Sequence, residues 1–205
     1  TFKNCDFIDN RIETEEQKAF GGAINASGNL TIIGGTFCGN SVKTLDKTED
    51  AHACGGVISH SLGMLNITGA LFKENGGLRT GDKNSGTENG VVIYASQSTV
   101  NVTGCEFSGN KLPGNSAIFG IGTNEKATQI NLKGDNKFVG NECMCLNASE
   151  KNTTINFNGT TSFAGNKNVM MTNSGIVNFN SGSKTTCDVN SDIPAVMRGF
   201  LINNN

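Results

Sequence analysis

Tryptophan is missing altogether, proline occurs only 2 times, and charged residues make up just 17% of the 205 positions, for a net charge of −2. Each shortage excludes something. The near balance of charge leaves no basic footprint for nucleic acid and no polybasic patch for anionic lipid. No apolar run approaches the ~18 residues that a membrane helix needs. Nowhere do apolar residues recur at spacings of three and four over a dozen positions, so no helix is expected. The seven cysteines lack the paired spacing of a zinc site: Cys143 and Cys145 are one residue apart, and His52 and His60 are the only histidines. No metal and no other cofactor is therefore expected.

What the chain has is a recurrence. Six times a phenylalanine is followed three residues later by an asparagine: Phe7/Asn10, Phe37/Asn40, Phe72/Asn75, Phe107/Asn110, Phe138/Asn141 and Phe163/Asn166. Successive phenylalanines are 30, 35, 35, 31 and 25 residues apart, a period that marks a repeat architecture. Upstream of each later phenylalanine lie two further segments. The first is Ala23-Ile24, Val57-Ile58, Val92-Ile93 or Ala117-Ile118, introduced in the first three copies by Gly21-Gly22, Gly55-Gly56 or Gly90. The second alternates strictly, as in Leu30-Thr31-Ile32, Leu65-Asn66-Ile67 and Val100-Asn101-Val102, the period of a half-buried strand.

Such segments are too short to stand as hairpins, whereas parallel stacking satisfies all of them at once. Equivalent strands then lie ~4.8 Å apart, period-2 residues share a core, and identical residues form columns. The expected fold is all-β, a right-handed parallel β-helix (β-solenoid) of about 6–7 coils with three short strands each. The hand follows from the general handedness of parallel crossovers. Phenylalanines are expected to stack inside, and the asparagines to form a ladder at a bend. Residues 1–180 carry the repeats, and 181–205 are read as a degenerate last coil or a C-terminal cap. Because Phe2, Cys5 and Phe7 already fit the pattern without a polar capping repeat, further coils are expected to precede Thr1.

Gly21-Gly22-Ala23-Ile24 with Phe37-Cys38-Gly39-Asn40, repeated by Gly55-Gly56-Val57-Ile58 with Phe72-Lys73-Glu74-Asn75, resembles the paired GGA(I/L/V) and FxxN signature of chlamydial polymorphic membrane proteins. Similar repeats occur in adhesin-like surface proteins of other bacteria and of methanogenic archaea. The resemblance covers about residues 2–166 and weakens along the chain, since Asn115-Ser116-Ala117-Ile118 has lost both glycines. It implies a secreted or cell-surface passenger segment of an adhesin, autotransporter-like, whose partner is a protein or glycan on a host or neighbouring cell.

Variation concentrates between each asparagine and the next first strand, where the inserts are residues 11–20, 41–54 and 76–89 and then only 111–115. Leaving from one corner, the first three are expected to stack as a lateral ridge carrying Glu13, Glu15, Glu16, Asp46, Glu49, Asp50, Arg79, Asp82 and Glu88. Loops on one face of a repeat array are a common binding face; solvated spacers are the plain alternative. Cys38 and Cys54 flank the second insert, a suitable place for a disulfide in an oxidising compartment. The outward column Thr31, Asn66, Asn101, Asn131, Asn156 and Asn178 reads as an exposed amide ladder, and His60 as an ordinary polar strand residue. A display stalk is the second functional reading. A polysaccharide lyase or hydrolase is the third, for which the nearest aligned acids are Asp9 and Glu74, ~10 Å apart across two coils, marginal for joint action and without a basic neighbour.

Overall fold

The computed structural model describes residues 1–16, 18–45, 52–79, 90–111, 117–122, 127–148, 150–172, 174–187 and 201–204. Among them there is no helix, and the strands of successive repeats pair in parallel. A twelve-stranded sheet gathers the first and second segments of every repeat, and a seven-stranded sheet gathers the phenylalanine segments. Register follows the motifs: Ile58 lies opposite both Ile24 and Ile93, Leu65 opposite Leu30 and Val100, and Phe72 opposite Phe37 and Phe107.

The two upstream segments are not always separate strands. In the central repeats they fuse into the continuous strands Ile58–Thr68 and Ile93–Thr103. Each bends at a left-handed residue, Leu62 (φ 58°) or Gln97 (φ 52°), where the preceding repeat has Gly28 (φ 85°). Glycine accepts that conformation freely, whereas a branched side chain in it is strained. Leu62 is also half exposed, so the strain is not relieved by burial.

Alternation then sorts side chains. The residues facing inward from both sheets, among them Ile32, Leu65, Val100, Ile130 and Ile155, form one continuous core. Within it the rings of Phe7, Phe37, Phe72, Phe107, Phe138 and Phe163 stack face to face, with successive centroids 4.8 to 4.9 Å apart. That distance is the strand spacing itself, so the backbone ladder sets the offset-stacked ring geometry. Each buried ring contributes roughly 1.5–3 kcal/mol of apolar burial.

One bend further, Asn40, Asn75, Asn110, Asn141 and Asn166 are all buried. Asn75 shows the rule. Its Oδ1 accepts from the backbone N–H and the Nδ2 of Asn40, both at 3.0 Å. Its Nδ2 donates to the Phe37 carbonyl at 2.8 Å and to Asn110 Oδ1 at 3.0 Å. Only an amide supplies two donors and a doubly accepting oxygen in one short side chain, so neither Asp nor Ser can replace it rung after rung. The residue before each asparagine is left-handed, whether glycine or not: Asp9, Gly39, Glu74, Gly109, Gly140 and Gly165 all have φ between 53° and 67°.

The double glycine has two separate causes. Gly21 and Gly55 need positive φ (67° and 69°). Gly22 and Gly56 do not, but a Cβ on Gly22 would collide with the Gly56 and Ser41 carbonyls, and one on Gly56 with the Val91 carbonyl.

Past residue 180 the columns persist. Lys184–Cys187 pairs with Thr160–Ala164, placing Cys187 opposite Phe163, and Leu201–Asn204 pairs with Ile176–Phe179, placing Asn203 opposite Asn178.

Asn75→Ala removes four buried hydrogen bonds and leaves the Asn40 N–H without its acceptor, while Asn110 Oδ1 keeps the Asn75 N–H; it is expected to cost about 3 kcal/mol in guanidinium unfolding. Asn101→Ala, in the outward column, is expected to cost under about 1 kcal/mol. Equal costs would show that the buried ladder has no special weight.

Candidate functional site

Because the inserts begin immediately after the ladder asparagines, they inherit the register of the stack. Arg11–Thr14, Ser41–Thr44 and Gly76–Arg79 form a three-stranded parallel sheet, and the return segments Lys18–Phe20 and His52–Cys54 pair as a second one. The starts of the three inserts therefore stack in register, as strands rather than loops. Val42, Ala19 and Ala53 are buried between the two layers, with Ile12 packed against them. These alternate with Arg11, Glu13 and Lys43, which face away from that small core.

The ridge charges partly satisfy one another. Glu13 is ion-paired to Arg11 beside it and to Lys43 of the next repeat at 3.2 Å. Exposed pairs of this kind contribute about 0–1 kcal/mol. Glu15 and Glu16 are exposed, and the Glu16 carbonyl accepts from the Thr44 hydroxyl at 2.6 Å. Arg79 ends the third ridge strand. Asp46, Glu49, Asp50, Asp82 and Glu88 lie outside the described residues.

Three expectations change at this level. No disulfide joins Cys38 and Cys54. The cause is alternation: Phe37 points into the core, so Cys38 turns outward from the seven-stranded sheet, whereas Cys54 is buried beside the ridge. The outward asparagine column is half-buried rather than exposed, since each amide is covered by its neighbours. Nδ2 of Asn101 donates to Asn66 Oδ1 at 2.9 Å, that of Asn131 to Asn101 at 3.0 Å and that of Asn156 to Asn131 at 2.8 Å. This ladder donates toward the preceding repeat, and the buried one toward the following repeat.

His60 is the third. It is fully buried at the corner of the long sheet and ties three repeats together. Nε2 donates to the Gly28 carbonyl at 2.8 Å, and Nδ1 lies 2.9 Å from the Ser98 hydroxyl. Burial pushes its pKa below the ordinary 6.5, against a smaller upward pull from the Gly28 carbonyl.

The acids proposed for catalysis have structural settings. Asp9 and Glu74 occupy the left-handed position before a ladder asparagine, and Glu74 pairs with Lys73 at 3.2 Å. The Asp6 carboxylate accepts the Thr36 backbone N–H at 2.8 Å. Among the described residues no three His, Cys, Asp or Glu side chains gather as a metal site, and no helix is long and apolar enough to cross a membrane.

Sequence reading missed the junction of ridge and stack. Phe20 ends a return segment of the ridge, and its ring centroid lies 6.2 Å from that of Tyr94 at an interplanar angle of 47°. Both rings are half-buried, with Ser59, Ser96 and Cys54 buried around them. Burial raises the Tyr94 pKa, with Cys54 raising it further and a hydrogen bond with Ser96 opposing. The available signal was that the single tyrosine of the chain falls at an outward position of the first segment.

Since folded His60 resists protonation, the unfolded chain binds a proton first as pH falls. The stability it supports is full above 6.5 and is lost as pH drops below that value toward the lowered folded one. Replacing His60 by Gln is expected to flatten this part of a stability–pH curve; an unchanged slope would refute the assignment. For the thiols, alkylation at mildly alkaline pH is expected to label Cys38 and Cys187 while sparing Cys143, whose pKa burial pushes up to about 12, and the buried Cys145. A Cys38–Cys54 cross-linked peptide under non-reducing mapping would contradict it.

No protein-family model matches this chain, and no curated protein and no solved structure does, so the likeness to GGA(I/L/V)/FxxN surface proteins rests on the chain's own motifs.

Proposed function

We propose that the chain is a right-handed parallel β-helix of about six or seven coils that acts as an adhesin-type passenger segment outside the cell, with the stacked inserts as its binding ridge. The observation that carries this reading is the ridge itself. Three successive repeats extend the same insert into paired strands, and the first two enclose a small core of their own, a construction that the stack does not need in order to close its main core. A rigid projecting sheet of this kind presents side chains in fixed positions, which lowers the ordering cost of binding. The partner class is a protein or glycan on a host or neighbouring cell.

A display stalk is the second reading. It is favoured by the pairing of Glu13 with Arg11 and Lys43, which leaves that part of the ridge less charge to offer a ligand.

The two separate in one experiment. Because Arg11–Thr14, Ser41–Thr44 and Gly76–Arg79 pair with one another, all three inserts are shortened together to the five-residue length of 111–115, and folding is checked by circular dichroism. An adhesin is expected to lose binding on cell and glycan arrays. Binding retained at the wild-type level would overturn the ridge reading in favour of the stalk.

A further inference from the structure

The angle between ridge and stack has a composition of its own. Where the ridge returns, Ala19 and Ala53 face its small core, so the adjacent Phe20 and Cys54 turn the other way, toward the outer face of the first segments. There the register sets Asn25, Ser59 and Tyr94 in one column. The middle rung is small, and Phe20 and Tyr94 approach each other at that junction. Beyond Tyr94 the same region has Gly120 opposite it and Gly122 beside Ser96. A Cβ at Gly122 would strike the Tyr94 hydroxyl, so the absence of a side chain there is what lets the phenol lie toward Ser96.

The result is a patch, uncharged among the described residues, of two half-exposed aromatic rings, the Tyr94 phenol and the exposed amide of Asn25, floored by the buried Ser59 and Ser96. Lys18, two residues before Phe20 and exposed, is the nearest cation on the ridge strand. We infer that this corner binds one ring of a neutral saccharide, its C–H face on Phe20 and Tyr94 and its hydroxyls toward Asn25 and the rim of the patch. Tilted rings suit the apolar face of a pyranose, and the amide and phenol supply directional hydrogen bonds. Among the described residues of the patch no side chain offers an opposite charge to a charged group, whereas a purely apolar ligand would cover the polar rim without pairing it. The inference deepens the adhesin reading by naming a ligand class, and rests on that reading for the ridge being a recognition surface.

With one tyrosine and no tryptophan in the chain, near-ultraviolet emission reports Tyr94 alone. The test titrates the intact protein with neutral oligosaccharides of glucose, galactose and N-acetylglucosamine at millimolar concentration. Expected is a saturable change in Tyr94 emission with at least one of them, with affinity weakened roughly tenfold in Phe20→Leu, which keeps apolar volume but removes the ring. Calorimetry on Tyr94→Ala, with folding verified by circular dichroism, is expected to show binding lost. No response to any neutral saccharide, a response only to sulfated or sialylated ones, or wild-type affinity retained in Phe20→Leu or Tyr94→Ala would each overturn the inference. Loss of cell binding on insert shortening with Tyr94 silent toward sugars would sink this site while leaving the ridge reading intact.

Discussion

In-register parallel pairing forces each side chain to sit on its counterpart one strand spacing away, and every other choice in the chain answers to that. Like must tolerate like. A phenylalanine does, because two rings at 4.8 Å stack. An asparagine does better, because its amide is both donor and acceptor and meets itself without repulsion. A charge does not, and where charges enter a column they meet a neutral residue or the opposite sign, as Glu106 lies opposite Lys137 and Glu13 opposite Lys43. The low charge and the wealth of asparagine are two expressions of this one constraint.

The same rule explains why the ridge is ordered. An insert leaving from a column begins in register with the insert above it, so its first residues continue the ladder almost without choice: Arg11, Ser41 and Gly76 pair directly after Asn10, Asn40 and Asn75. Alternation then produces an inner face, with Val42 and Ile12, and an outer face. A short chain segment thereby gains definition that an isolated loop of its length would lack.

Much of this could be read from residues alone. Phe7 to Phe163, Asn10 to Asn166 and the alternating second segments declared their columns because period and spacing are sequence properties. The corner at Leu62 and Gln97 did not, since neither residue type advertises a left-handed bend, and the two segments it joins were read as separate strands. Nor did Cys187 and Asn203 reveal that they continue the phenylalanine and asparagine columns, because only the register on Phe163 and Asn178 identifies them. His60 read as an ordinary polar strand residue; its link to the Gly28 corner 32 residues away was not visible in the sequence. The aromatic corner was invisible for a similar reason, as Phe20 and Tyr94 meet only once the ridge folds back over the stack.

The self-complementary asparagine ladder also bears on how such a chain changes over generations. Asn110 cannot distinguish Asn75 from a duplicate of it: the rung below needs only another amide in the same place. A copied or deleted repeat therefore arrives with its hydrogen bonds already solved, and repeat number can drift by whole units without coordinated substitutions elsewhere. Private arrangements behave differently. The His60 link reaches Gly28 on one side and Ser98 on the other, so it is inherited only as a block, and it fixes the order of three particular repeats within an otherwise interchangeable series.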